Sequence, residues 1–373
     1  MKHKSLQYYF FGQLFRLPLS LFHRFAAVKR APLKSGCTLL PNTNSVVTTI
    51  LFFITFISSS NAFSQEKAAT VDVKKETFKV VSQDGTGDYK SIQEAVNDSK
   101  AFPYERITIF IKNGIYKEKV KIHEWNNNLS IIGESKENTI ITYDDYFNKI
   151  GLGRNSTFYT YTLLVEANDV VLQNVTIQNA SGDVGQAVAL SIFSDNVAVV
   201  NCQILGNQDT LYASGKGKQY YRNCYIEGTT DFIFGSATAY FENCEIRSLK
   251  DSYVTAASTP EGTEFGYVFK NCNLTSNETA SKVYLGRPWR MYAKTVFINC
   301  KLGKHILPEG WHNWSKPDAE KTSFYAEYNN SGAGYLPKER VKWSKQLSKS
   351  QAKKYTIEAV LGSEFSKTVS QLN

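Results

Sequence analysis

The feature that most constrains this chain is a recurring six-residue unit. "VVNCQI", "YRNCYI", "FENCEI", "FKNCNL" and "FINCKL" carry Cys202, Cys224, Cys244, Cys272 and Cys300, at intervals of 22, 20, 28 and 28 residues. Asn precedes each cysteine, at positions 201, 223, 243, 271 and 299, and Ile or Leu follows two positions later. "LQNVTI" places Asn174 and Ile177 in the same frame 27 residues before Asn201, with Val175 in the cysteine position. A repeating unit of this length cannot bury its apolar face alone and must stack on its neighbours. The units hold short runs of Val, Ile, Phe, Tyr and Thr, broken by Gly, Asn, Asp and Ser, with little helical periodicity. The expected architecture is all-β: a right-handed parallel β-helix, a solenoid of about 20 to 30 residues per coil with short capping helices.

Each column of such a solenoid has a physical meaning. Equivalent residues of adjacent coils lie about 4.8 Å apart. Small Cys and Val side chains can fill an inward column, and stacked Asn side chains can bond one another at the bends. No CxxC pair or Cys/His cluster occurs, so the cysteines are not expected to hold a metal. Cys202 and Cys224 stand one coil apart, within disulfide range, but an odd set of five leaves free buried thiols equally open.

The ends carry different patterns. "FKVVSQDGTGDYKSIQEAVNDSK" reads as a strand, a Gly-rich turn and a short amphipathic helix from about Ser91 to Ser99, with Ile92, Ala95 and Val96 on one face. Such a helix suits the open end of a solenoid, whose first coil otherwise exposes an edge. "SQAKKYTIEAVLG" is a second helical pattern, ending at Gly362. No Pro/Gly/Ser-rich linker divides the body, so one β-helix domain is expected over residues 75–365. Residues 63–74 form a short extension before it, and residues 366–373 a C-terminal tail.

The formal charge of +9 belongs mostly to residues 1–62, which hold seven Lys and Arg and no acid. Setting those seven aside leaves 36 basic against 34 acidic residues, a net of +2. A body so balanced, with no basic stripe interleaved with aromatics, is not expected to bind nucleic acid. "VVTTILFFITFISSSNAFSQ" has an uncharged apolar stretch from Val46 to Ile57, then Ser60 and Ala62 placed like a cleavage site. It is short of the roughly 20 apolar residues that span a bilayer. Residues 1–62 therefore read as an export leader, the mature chain starts near Phe63, and it is expected to be secreted: periplasmic, cell-surface or extracellular. The long segment before the apolar stretch leaves open a start further downstream, and an uncleaved anchor is the alternative. No stable membrane span is expected in the mature protein.

The ladder also places chemistry. Asp209 in "GNQDTL" and Asp231 in "GTTDFIFG" each lie seven residues after a ladder cysteine and 22 residues, one coil, from each other. Adjacent coils put two such carboxylates roughly 5 Å apart. Both cannot ionise easily at that distance, so one pKa should rise while the other stays low, as suits a nucleophile and an acid/base partner. Two turn aspartates bonding backbone amides are the bland alternative, and Asp251, also seven residues after a ladder cysteine, has that reading. The company favours chemistry. Arg287 in "YLGRPWR" can hold a buried Asp231 ionised, Gln186 and Gln208 are suitable oxyanion donors, and Trp289 offers a face to a sugar ring. A Ser-His-Asp mechanism is disfavoured, because His123, His305 and His312 are the only histidines of the body and none stands beside a Ser-bearing motif.

"GIYKEKV" (114–120), "GQAVAL" (185–190), "GNQDTLY" (206–212), "GTTDFIFG" (228–235) and "YLGRPW" (284–289) together resemble the pectin methylesterases, over roughly residues 75 to 365. The resemblance implies a right-handed parallel β-helix, no cofactor and no metal, and hydrolysis of the methyl ester on galacturonate units of pectin by a monomer. By motif position it implies Asp231 as nucleophile, Asp209 as general acid and base, and Gln186 and Gln208 as anion-hole donors. Arg287 then orients Asp231, and Trp289 lines the sugar cleft. The long leader and the lack of a plant-type inhibitory pro-region suggest a microbial secreted type. A chain-cleaving β-helix enzyme of polygalacturonase or pectate lyase type stays open, since two carboxylates near 5 Å also suit a retaining glycosidase. So does a sugar-binding solenoid without activity.

Overall fold

The Asn ladder is a backbone device before it is a side-chain one. In the computed structural model, which describes residues 76–372, Asn174, Asn201, Asn223, Asn243, Asn271, Asn299 and Asn329 all turn with φ between 50 and 56°. That left-handed region is closed to most side chains and tolerated by Asn. From Asn174 to Asn299 each Asn turns the chain from one strand into the next, as Asn201 does between Val197–Val200 and Gln203–Leu205. Side-chain bonding along the column joins Asn201 Nδ2 to Asn174 Oδ1 at 2.7 Å and Asn329 Nδ2 to Asn299 Oδ1 at 2.8 Å.

Repetition of this bend builds three parallel sheets of 11, 7 and 8 strands among the described residues, a right-handed parallel β-helix as expected. One coil takes Val197–Val200 in the first sheet, Gln203–Leu205 in the third and Leu211–Ala213 in the second. The five ladder cysteines are buried and free. Their backbones join successive coils, with Tyr225 N donating to Cys202 O, Glu245 N to Cys224 O and Asn273 N to Cys244 O, each at 2.9 Å. Gln203 N donates to Val175 O at 3.0 Å, so Val175 does occupy the cysteine position of the preceding coil. Two residues before each Asn a second inward column runs through Tyr221, Phe241, Phe269 and Phe297, in register across the first sheet. Their rings stack with centroids 4.4 to 4.5 Å apart and planes within 10°. Identical spacing of the backbone thus becomes continuous contact among large apolar rings.

The N-terminal end is capped as the sequence suggested. The helix Ile92–Asn97 starts at Ser91, whose side chain and Glu94 form a capping box, and buries Ile92, Ala95 and Val96. Glu118 of "GIYKEKV" reinforces it, accepting from Ile92 N at 2.9 Å and Gln93 N at 3.0 Å. Near the other end Arg340 and Glu327 form an ion pair of 2.7 Å whose side chains are 2% and 0% exposed. Three helices follow, Lys349–Ala352, Ile357–Leu361 and Ser363–Ser370. Val360, Leu361, Phe365 and Val369 pack on the outward Val171, Ala198, Val200, Tyr220, Tyr240 and Val268 of the first sheet. The helix Ser363–Ser370 runs through the boundary expected at residue 365, because its apolar stripe covers an apolar sheet face. The leader, the cleavage site and the extension 63–74 lie outside the described residues. Among the described residues no helix is long and apolar enough to cross a membrane.

Candidate active site

The segment "GTTDFIFG" is shaped by its two glycines. A Cβ on Gly228 would lie 2.2 Å from the Cβ of Phe232, and Gly235 turns with φ 123° where a Cβ would lie 2.2 Å from the carbonyl oxygen of Ala213. These close approaches let the strand Ile233–Gly235 sit directly on Leu211–Ala213, with Leu211 opposite Ile233. Asp209 and Asp231 precede those strands by the same two residues, so they occupy one column on adjacent coils. Both are held in the left-handed region, with φ of 65° and 51°. Asp209 N donates to Thr230 O at 3.0 Å and Asp231 N to Tyr253 O at 2.9 Å, which carries the column on to Tyr253. Gln186 and Gln208 form the neighbouring column, joined where Ala187 N donates to Gln208 O at 3.1 Å.

Asp231 is 6% exposed and Asp209 9%. Arg287 Nε donates to Asp231 Oδ1 at 2.9 Å and Arg287 Nη2 to Oδ2 at 2.7 Å, so both carboxylate oxygens are gripped by one planar fork. The guanidinium is itself sandwiched, 3.9 Å from the ring centre of Tyr253 and 3.6 Å from that of Trp314. Lys316 Nζ donates to the carbonyls of Trp289 and Pro288, at 3.0 and 3.3 Å, and so fixes the turn that follows Arg287. Trp289 packs on Phe234 and Tyr212, with ring centres 5.8 and 6.5 Å away. Gln186, Gln208, Asp209, Asp231, Arg287 and Trp289, the six residues singled out from the sequence, all line one cleft of about 430 Å³.

Electrostatics separates the two acids, though not as far as spacing alone suggested. Burial pushes the Asp209 carboxyl well above the usual range, the charge of Asp231 adds to this, and Arg287 opposes it. Burial raises Asp231 as well, while the fork and charge of Arg287, and then the charge of Lys316, oppose it. The expectation that one aspartate stays low is thus corrected: both rise, because desolvation acts on both. The order survives, since the groups that favour the ionised form converge on Asp231.

Asp251 is the turn residue it resembled. Its Oδ1 accepts from Ser281 N at 2.6 Å and Lys282 N at 2.8 Å, which hold its carboxyl below the usual range. It is displaced from the column of Asp209 and Asp231 because the coil after Asp231 places Tyr253 there. Sequence reasoning missed Tyr253, Trp314 and Lys316, and the aromatic floor of Tyr212 and Phe234, whose rings stack at 4.6 Å. Tyr253 was within reach, 22 residues after Asp231 as Asp231 is after Asp209. Trp314 lies in the irregular segment after the last strand of that sheet, where no repeat marks it.

Comparison with known proteins points to one family. The family described as Pectinesterase matches residues 79–364. Pectinesterase 31 of Arabidopsis thaliana is 38% identical over 280 residues, covering 73% of this chain and 88% of that protein. Probable pectinesterase/pectinesterase inhibitor 6 of the same plant is 39% identical over 298 residues, covering 77% of this chain and 52% of the relative, so the chain spans about half its length. These relatives are plant proteins and lend no support to the microbial type expected from the leader. Among solved structures, a pectin methylesterase from carrot superposes with a TM-score of 0.74 at 33% identity, over 78% of this chain and 95% of that one. The chain belongs to the pectinesterase family.

Proposed function

We propose that the chain hydrolyses the methyl esters of galacturonate units in pectin, with Asp231 as nucleophile and Asp209 as acid and base. The observation that carries this reading is the Arg287 fork on Asp231, one coil from a buried Asp209 pushed toward its protonated form. Asp231 attacks the ester carbonyl, and the side-chain amides of Gln186 and Gln208 stabilise the tetrahedral oxyanion. The bond to the methoxy oxygen breaks, and Asp209 gives its proton to the departing methanol. Asp209, now ionised, takes a proton from water, whose oxygen attacks the acyl-enzyme. Asp231 leaves as a carboxylate and Asp209 is protonated again. The apolar face of a sugar ring suits Trp289 above its aromatic floor. A polymeric wall substrate fits with an export leader at residues 1–62 and action outside the cytoplasm as a monomer.

The test is methanol release from methyl-esterified pectin, followed together with the count of reducing ends. Methanol without new reducing ends is the expected result. New reducing ends would assign the cleft to chain cleavage, and neither product would leave a sugar-binding solenoid.

A further inference from the structure

The segment 312–316 bends in a way its side chains resist. Trp314 and Ser315 turn in succession through the left-handed region, with φ of 56 and 54°. A bulky side chain avoids that region, and consecutive residues persist there only where their surroundings over-determine them. Hydrogen bonds within the segment do so. Trp314 N donates to His312 Nδ1 at 2.9 Å, Ser315 N to Asn313 Oδ1 at 2.9 Å and Lys316 N to Asn313 O at 3.0 Å.

The bend delivers two groups to the candidate site. The ring of Trp314 lies on the Arg287 guanidinium, and the Lys316 ammonium reaches the carbonyls of Pro288 and Trp289. That ammonium also stands 4.5 Å from the ring centre of Trp314. Lys316 is thereby tied to both neighbours of Pro288, to Arg287 through the Trp314 ring and to Trp289 through its carbonyl. It does not itself line the cleft.

Its charge does more than the tie requires. Lys316 is half-buried. Burial holds its ammonium below the usual lysine range, the charges of Arg290 and then Arg287 push the same way, and Asp231 opposes them. A neutral donor would hold the same carbonyls without burying a charge beside two arginines. The cation has its use toward Asp231, whose ionised form it favours from beyond ion-pair distance, next to the direct fork of Arg287.

We propose that Lys316 is a positioning residue for the ester hydrolysis, an inference that rests on the pectin reading above. It makes the Arg287 fork and the ring of Trp289 one rigid unit around Asp231, and it adds a second positive charge behind the nucleophile.

The experiment measures initial rates of methanol release across pH from a fully methylated hexagalacturonide, whose esters do not titrate. It compares the parent chain with Lys316→Met, Lys316→Gln and Lys316→Arg. Met loses tie and charge together. Its acid limb should move to higher pH, because Asp231 loses a cation and takes a proton more readily. At the optimum its kcat/KM should fall about tenfold, the loss of a hydrogen bond from a charged donor, with KM raised as Trp289 loosens. Gln keeps an amide donor for the carbonyls and should shift the acid limb with less change in KM, which also covers a Met variant that fails to fold. Arg keeps charge and donors and should restore the limb and most of kcat/KM. An inactive misfolded fraction lowers the apparent kcat alone and moves neither KM nor the limb. Neutral variants with the acid limb of the parent, or an Arg variant displaced as far as they are, overturn this inference alone. A parent chain that releases no methanol overturns the pectin reading and this one with it.

Discussion

Burial lifts the carboxyls of both Asp209 and Asp231, and Arg287 opposes that lift chiefly at Asp231, which it grips with two nitrogens. On the proposed assignment Asp231 attacks as a carboxylate and Asp209 donates the proton, so kcat/KM should fall as pH drops through the Asp231 pKa. The proton donor must be protonated, so kcat/KM should also fall as pH rises through the Asp209 pKa, giving a bell. Arg287→Lys keeps a charge but loses the fork, which should move the acid limb to higher pH and reduce the rate. A pH–rate profile of that variant with an unmoved acid limb would separate Arg287 from the ionisation of Asp231. Asp209 also makes a prediction about stability. Its folded pKa lies above the unfolded value, so its favourable contribution is complete at low pH and is lost as pH rises through the folded pKa. Asp209→Asn should therefore melt at a higher temperature than the parent at neutral to alkaline pH, with the gain vanishing in acid. Thermal melts across pH check this, and a variant less stable throughout would contradict it.

At the scale of elements, the columns decide what each coil tolerates. Cys224 lies in the inward column between Cys202 and Cys244 and is 2% exposed. Cys224→Phe should overpack it and lower stability by about 1–3 kcal/mol. An unchanged thermal midpoint would remove Cys224 from the interior. The C-terminal end depends on a different device. Glu327 is fully buried and is held by Arg340 Nε at 2.7 Å and Nη2 at 3.3 Å. Arg340→Ala strands that carboxylate and should lower stability by about 3–5 kcal/mol, read as a shift in denaturant midpoint. Loss of less than about 1 kcal/mol would show that the pair does not act as a buried one. Neither residue touches the cleft, so the pH profile of the surviving activity should keep its shape in both variants.

At the scale of the whole molecule, what was legible in the sequence was what repeats. Asn201, Cys202 and their equivalents recur because every coil needs the same left-handed bend and the same inward spacing, and that recurrence alone places Asp209 beside Asp231. Arg287 was legible because a buried carboxylate requires a partner. The helix Ser363–Ser370 was not legible because its partner is a sheet face assembled from five distant strands, which no local pattern reveals. Trp314 was invisible for the same reason: its role, to face the guanidinium of Arg287, exists only after the chain has closed on itself. The proposed export leader makes a separate prediction, that N-terminal sequencing of the exported protein finds a start near Phe63; residues from 1–45 in the mature chain would contradict cleavage there. The most direct test of the central assignment is methanol release from pectin by Asp231→Asn, with fold and pectin binding verified on the same preparation. Asn keeps the shape of the side chain and cannot attack an ester, so release should be abolished, a deeper loss than the roughly hundredfold or more expected for Asp209→Asn. Substantial methanol release by a correctly folded Asp231→Asn enzyme would contradict the assignment and leave Asp231 a structural residue.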